Sequence, residues 1–122
     1  MTPDRYLPYR YAGASGDFNP IHLDADFARQ IGLPGTILHG LYSVGLIARA
    51  VIDAAGGDPR ALRRMRLQFR AMAFPEEEIV ISGTISEVGE AGARVAIEAQ
   101  QGERALVGKA EVELALGGDA PR

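Results

Sequence analysis

The most constraining feature of the sequence is a mostly apolar run over residues 40–55. Its apolar side chains cover nearly every direction around a helix, and the only strongly polar positions are Ser43, Arg49 and Asp53. A helix that is apolar almost all round is expected to be buried on most sides. The run predicts a helix of about 24 Å, since each residue adds about 1.5 Å, and the Gly-Gly-Asp-Pro sequence at 56–59 should end it.

The sequence after this helix alternates between apolar and polar residues. Alternation with period two is typical of strands that bury one face. The predicted strands are residues 64–71, 79–85, 94–99 and 105–116, followed by a tail at 117–122 that we expect to be frayed. The simplest way to bury the helix is to wrap an antiparallel sheet around it. The sequence therefore predicts an α+β protein with a long central helix.

Length and composition restrict the function further. The 122 residues predict a single domain over 1–122. A net charge of −3 argues against nucleic acid as the main partner. The sequence contains no cysteine, which excludes disulfide scaffolds and zinc–thiolate sites. There is no apolar signal segment at the N-terminus, and charged residues interrupt the longest apolar run, so we expect a cytoplasmic protein that does not enter a membrane.

Two shorter elements are predicted before the central helix. Residues Arg5 to Tyr9 read as one edge strand, which Pro8 would keep from the middle of a sheet. Asp24 is a good N-cap for a helix over residues 25–31, which Gly32 would end.

The candidate catalytic residues lie in the stretch 11–22, whose sequence is Tyr-Ala-Gly-Ala-Ser-Gly-Asp-Phe-Asn-Pro-Ile-His. Pro20 separates Asp17 from His22 and disfavours a continuous helix between them. We therefore expect a tight turn, helped by Gly16, in which both side chains point into one cleft.

This stretch, together with Ile37-Leu-His-Gly-Leu41, resembles the signature of the MaoC-like (R)-specific enoyl-CoA hydratases, also called hydratase 2. It is especially similar to that of bacterial (3R)-hydroxyacyl dehydratase subunits, and the match extends to Leu116. The resemblance implies a hot-dog fold, in which the sheet wraps the long helix, and assembly from paired hot-dog domains. It also implies reversible syn addition of water to a trans-2-enoyl thioester, carried by coenzyme A or an acyl-carrier protein.

The chain departs from the family at its N-terminal side. Family members usually carry a further strand and short helix before the motif, whereas ten residues precede Tyr11 here. We expect the N-terminal strand to be shortened or absent and a partner chain to cover the sheet edge. The partner would be a second copy, giving a homodimer, or a different hot-dog subunit, giving a heteromer.

The resemblance places Asp17 and His22 in the active site as the catalytic pair. Histidine can take a proton from water near neutral pH, and Asp17 can orient that water and return a proton to the α-carbon. How the roles divide between them is left open. The backbone N–H of Gly40, at the positive end of the helix dipole, is the candidate oxyanion donor.

Three other residues are candidate supports of this site. Asn19 is expected to cap a short turn that begins at Pro20 and to hydrogen-bond the carboxylate of Asp17. Tyr42 and Ser43 either line the acyl pocket or pack in the core, and the sequence favours neither.

The sequence leaves three alternative functions open to comparison. A metal held by Asp17, His22 and His39 is disfavoured, since the family that the chain resembles needs none, and we expect neither a metal nor a cofactor. A hot-dog thioesterase would need a carboxylate on the central helix or a neighbouring strand, and the first acid on the helix is Asp53, near its far end. A non-enzymatic subunit is disfavoured because both catalytic residues are present.

The basic residues of the sequence are concentrated before and within the first predicted strand. Arginines 63, 64, 66 and 70 form this cluster. Arginine side chains can contact the phosphates of coenzyme A, but a solvated face or a dimer seam is the favoured interpretation.

Overall fold

A computed structural model describes residues 1–115, and Leu116 and the predicted tail lie outside the described residues. The helices are α1 (Leu7–Ser15), α2 (Pro20–Leu23), α3 (Ala25–Gln30) and α4 (Gly40–Ala54), followed by a 3-10 turn at Pro59–Ala61. The strands are β1 (Leu62–Phe69), β2 (Val80–Gly89), β3 (Gly92–Gln101), β4 (Arg104–Ala105) and β5 (Val107–Leu114).

The strands form one antiparallel sheet in the order β1-β5-β3-β2, with the short β4 paired to β3. Strands β2 and β3 are joined by a tight hairpin in which Gly89 pairs with Gly92. The last predicted strand is divided in two, because the chain breaks from the ladder at Leu106 between β4 and β5. The antiparallel sheet predicted from the alternation is confirmed.

Helix α4 lies against the inner face of this sheet, which is the hot-dog arrangement. Its buried residues, Ser43, Ile47 and Val51, are spaced by four and form one stripe. Ile47 and Val51 join Ile97, Val112 and other sheet residues in the hydrophobic core.

The prediction that this helix is buried on most sides is wrong for its outer side. Leu41 is 67% exposed, and the helix residues outside the stripe range from partly buried to exposed. A single sheet covers one side of a helix, and within residues 1–115 no second layer covers the other.

The predicted edge strand over Arg5 to Tyr9 is also wrong, because the segment enters helix α1. Pro8 is the second residue of this helix, where its fixed φ and missing N–H are tolerated. The helix takes in residues 11–15, which were predicted as part of a turn. Before it, Met1 and Ile79 exchange two backbone hydrogen bonds, of 3.0 and 2.7 Å. Residues 1–10 contain no strand.

Helix α3 agrees with its prediction to within one residue. The Oδ1 atom of Asp24 accepts hydrogen bonds from the backbone N–H groups of Asp26 and Phe27, at 3.0 and 3.1 Å. Gly32 follows the helix with a φ of 97°. Among residues 1–115, every helix is too short or too polar to cross a bilayer.

Candidate active site

Asp17 lies in the loop between α1 and α2. Gly16 ends α1 in the left-handed conformation, with a φ of 80° and its N–H bonded to the carbonyl of Ala12. The hydroxyl of Ser15 accepts from the Asp17 N–H, and Oδ1 of Asp17 accepts from the Asn19 N–H, both at 3.2 Å. One carboxylate oxygen is thereby held by the loop, and Oδ2 is directed at His22.

His22 lies in the four-residue helix α2 and is 7% exposed. Its Nδ1 is 2.8 Å from the carbonyl oxygen of Ile37. A carbonyl only accepts, so Nδ1 carries the hydrogen, and Nε2 of the neutral ring is a free acceptor.

The two groups meet at the surface of the protein. Nε2 of His22 is 3.7 Å from Oδ2 of Asp17, whose side chain is 53% exposed. This separation is too long for a direct hydrogen bond, but both atoms can lie within about 2.8 Å of one water oxygen. The predicted meeting of these side chains is therefore observed, on a helix–loop–helix connection in place of a single tight turn.

Gly40 is the first residue of α4, so its N–H has no acceptor within the helix. No backbone carbonyl within residues 1–115 accepts from it. A Cβ added at this position would come within 3.2 Å of Cε1 and Cζ of Phe69. A glycine thus keeps an exposed amide at the start of the helix with little room beside it.

His22 and Gly40 line the same cavity, which has a volume of about 330 Å³. Ser43, one turn into α4, and Arg70, directly after β1, complete its polar lining. The remaining walls are apolar and are formed by Ile37, Leu38, Phe69, Ala71, Met72, Ala73 and Leu106. An acyl group with a polar end at the thioester matches this distribution.

The other candidate residues, Asn19 and Tyr42, have different positions relative to the site. Oδ1 of Asn19 accepts from the Ile21 N–H at 3.2 Å and caps α2, as predicted, but the bond to Asp17 comes from its backbone and not its side chain. Tyr42 is directed away from the cavity: its hydroxyl donates to Sδ of Met1 at 3.3 Å, and its ring meets Tyr11 edge-on.

Sequence reasoning missed the role of His39 as a neighbour of the pair. The rings of His39 and His22 stack with centroids 3.8 Å apart and planes 20° apart. Nε2 of His39 also lies 2.9 Å from the backbone carbonyl of Asp17. The available signal was its place directly before Gly40, whereas His39 was considered from the sequence only as a disfavoured metal ligand.

Asp17, His22 and His39 each offer a ligand atom, and these atoms lie within 4.8 Å of one another. The lone pair of an imidazole nitrogen lies in the ring plane, so two stacked rings direct their lone pairs side by side. They do not converge on a point about 2.0–2.1 Å from both, as zinc requires. One nitrogen of each ring is also bonded to a carbonyl. The arrangement does not fit a shared metal ion.

The arginine cluster divides between two places. Arg64 and Arg66 face Glu113 and Glu111 across β1 and β5, at 4.0 and 3.6 Å, on the solvated face of the sheet. Arg70 alone of the cluster lines the cavity with His22.

An antiparallel sheet wrapped on one helix, with an acid close to a histidine that lines one cavity together with the helix-start glycine, defines a hot-dog protein. The chain belongs to the MaoC-like domain family, whose profile matches residues 2–106.

Similar proteins agree with this assignment. The peroxisomal enoyl-CoA hydratase 2 of Arabidopsis thaliana is 37% identical over 103 residues, which cover 84% of this chain and 31% of that protein. A MaoC-like dehydratase from Phytophthora capsici has the same fold with a TM-score of 0.85 and 28% identity, covering 97% of this chain and 41% of the other. The ChsH1–ChsH2 complex of Mycobacterium tuberculosis shares the fold alone, with a TM-score of 0.84 at 24% identity, covering 96% and 91%.

The chain spans 31% of the length of the Arabidopsis protein and as little as 4% of another curated relative. Several relatives are subunits of fatty acid synthases, in which the matching region is a small part of a long polypeptide.

Proposed function

We propose that this chain catalyses the reversible addition of water to trans-2-enoyl thioesters, giving (3R)-hydroxyacyl products. The observation that carries the proposal is the approach of Asp17 Oδ2 to His22 Nε2, at 3.7 Å, beside a cavity that Gly40 also lines. The family to which the chain belongs, and relatives named as enoyl-CoA hydratases, support the same activity.

In this mechanism one water molecule binds between the two catalytic side chains. The bare Nε2 of His22 takes a proton from the water, and the oxygen forms a bond to C3 of the enoyl group. Electrons of the C2–C3 double bond move to the thioester oxygen, where the Gly40 N–H stabilises the developing negative charge.

The reaction is completed when the catalytic pair returns the proton to C2 and the enolate collapses. One proton leaves the water and one reaches C2, so the product differs from the substrate by one water. Because one pair of side chains, 3.7 Å apart, both takes the proton and returns it, hydroxyl and hydrogen add to the same face.

Hydrolysis of the thioester is the competing reaction. The first carboxylate on α4 is Asp53, which is bonded to Arg49 at 3.1 Å near the far end of the helix from Gly40. It lies outside the cavity that His22 lines, so nothing at the site favours a thioesterase.

The test is an assay of the purified chain with crotonyl-CoA and longer trans-2-enoyl-CoA substrates. Hydration is expected as a loss of the conjugated absorbance without release of free thiol, and chiral analysis is expected to give the (3R) product. Thiol release without hydration, or a (3S) product, would contradict the proposal. Added metal ions or cofactors are not expected to be required.

We infer further that a second hot-dog domain completes the working protein. Strand β2 is at the end of the sheet, and three of its apolar residues, Val80, Ile85 and Val88, are 54%, 61% and 65% exposed. Leu41 on the outer side of α4 is exposed as well. Exposed apolar residues along an unpaired sheet edge are a common basis for pairing with another chain.

The partner is a second copy of this chain or a different hot-dog subunit. Light scattering of the purified chain distinguishes these outcomes, since a homodimer gives twice the mass of one chain. A monomer that is inert alone and active after mixing with another hot-dog chain identifies a heteromer. The cytoplasmic location remains a prediction, and one relative is peroxisomal.

A further inference from the structure

We infer that His39 is a positioning residue of the hydration reaction: it fixes Asp17, His22 and the Gly40 amide relative to one another. The inference rests on the proposed function, and it assigns to His39 a role that neither the sequence motif nor the catalytic pair requires.

His39 lies next to the Asp17 loop, the His22 ring and the Gly40 amide. It is the N-cap residue of α4, directly before Gly40, and it is 3% exposed. Its side chain makes no capping bond to the helix. The ring is therefore directed elsewhere, although its backbone begins the helix.

The first contact is the hydrogen bond to the Asp17 loop. Nε2 of His39 lies 2.9 Å from the carbonyl of Asp17, which only accepts, so Nε2 is the donor. The other hydrogen bonds of Asp17 within residues 1–115 link it to Ser15 and Asn19, two positions away in either direction. The bond from His39 is thus the long-range hydrogen bond that ties this exposed loop to helix α4.

The second contact is the stack on His22. The ring of His22 is held in its plane by the Ile37 carbonyl, and the stack with His39 at 3.8 Å restrains it from one face. Tyr11 lies near His39, at a centroid distance of 4.7 Å. With Nδ1 engaged and one face covered, His22 keeps Nε2 directed at Asp17.

The remaining nitrogen of His39 argues against a purely packing role. Its Nδ1 is buried and has no hydrogen-bond partner among residues 1–115. Burying an unpaired acceptor is unfavourable, and a phenylalanine would stack at this position without that cost. The imidazole offers what phenylalanine lacks, which is the donor to the Asp17 loop.

Two variants separate the donor from the stack. His39→Phe keeps an aromatic ring and loses the donor. His39→Gln loses the ring but places an amide N–H where Nε2 was. Tyr11→Leu is the matched control, since it removes an aromatic neighbour of His39. Within residues 1–115, the Tyr11 ring makes no ring contact with His22 and no hydrogen bond to Asp17.

The measurements are kcat and KM for crotonyl-CoA and the melting temperature of each variant. We expect His39→Phe to lower kcat by about 10- to 100-fold with little change in KM, since small misplacements of catalytic groups have effects of that size. His39→Gln should retain a larger share of kcat than His39→Phe, and Tyr11→Leu should change the melting temperature more than kcat. Wild-type kcat in His39→Phe, or equal losses in the two His39 variants, would overturn the inference.

A second measurement does not depend on activity. Amide hydrogen exchange at residues 17–19 should be faster in His39→Phe than in the wild type, and close to wild type in His39→Gln. Unchanged exchange in His39→Phe would overturn the inference. If the wild-type chain hydrates no enoyl thioester, either alone or mixed with another hot-dog chain, the proposed function fails, and this exchange measurement alone decides the role of His39 in holding the loop.

Discussion

The ring of Phe69 lies so close to Gly40 that a single methyl group at position 40 would come within 3.2 Å of two ring carbons. Phe69 is the last residue of β1, on the side of the sheet that faces α4, and it is 57% exposed because it lies where the helix begins. The start of α4 and the end of β1 thus share one wall of the cavity.

We expect Gly40→Ala to lower kcat/KM for crotonyl-CoA by about tenfold, because the methyl group and the displaced ring crowd the thioester near the amide donor. The free energy of unfolding should change by less than about 1 kcal/mol, since the exposed ring of Phe69 can move aside. Steady-state kinetics and urea denaturation measure the two effects.

The matched control is Gly45→Ala, in the middle of the same helix, where an added Cβ meets nothing within 4 Å. It should stabilise the chain by about 0.5–1 kcal/mol, as expected for removing a glycine from a helix interior. Equal kinetic losses in the two variants would remove the special role of position 40.

Asp17→Asn tests the carboxylate without disturbing its loop. The amide oxygen of asparagine can still accept the Asn19 N–H that Oδ1 accepts now. We expect kcat to fall by about 10²–10⁴-fold, the range typical of general acid–base groups, at an unchanged melting temperature. Asp26→Asn, at an exposed carboxylate that pairs only with Arg29 among the described residues, should be active.

His22→Asn tests the base in the same way. The asparagine amide can replace Nδ1 as donor to the Ile37 carbonyl at its present 2.8 Å contact, while nothing replaces Nε2. A loss of kcat similar to that of Asp17→Asn is expected, and the double variant should lose little more, since the two groups act on one water. Near wild-type turnover in this variant would refute its role as the base.

Treatment with a chelator should leave the rate unchanged. The prediction follows from the stacked rings of His22 and His39, whose nitrogens do not converge on one ion. The assay compares initial rates before and after incubation with EDTA and removal by desalting. A large loss that zinc restores would show that Asp17 and the histidines rearrange around a metal.

The tyrosine at position 42 gives a pH dependence of stability. Burial raises the pKa of Tyr42, with smaller effects from the charges of Arg10 and Asp4. The folded chain therefore keeps this proton at a pH where the unfolded chain, with a tyrosine pKa near about 10, has lost it. The free energy of unfolding should fall as pH rises above that value. Denaturation between neutral and alkaline pH should show a smaller fall in Tyr42→Phe.

The sequence predicted the elements whose signals are local. Asp24 and Asn19 each cap the helix that follows them, and the alternation of residues 94–99 matches an inward row on β3. Pro8 was misread because a proline fits both an edge strand and a first helical turn. Neighbouring residues did not decide between them.

The parts that sequence reasoning missed depend on contacts between distant residues. The bond from His39 to Asp17 forms because the fold brings the loop between α1 and α2 to the start of α4. The contact of Phe69 with Gly40 forms because the sheet brings the end of β1 to the same place. The burial of α4 was overestimated for a similar reason. The sequence shows which helix residues are apolar, but some of them, such as Leu41, are not covered by any of the described residues. Periodicity reports where a side chain points and not what covers it.

The exposed apolar side chains on the outer side of α4 have a consequence for handling the protein. If a second domain binds there, the turnover per chain depends on protein concentration. Dilution then dissociates the second domain and exposes to water the outer side of the helix that carries Gly40. A plot of specific activity against enzyme concentration would then bend downwards at the dilute end.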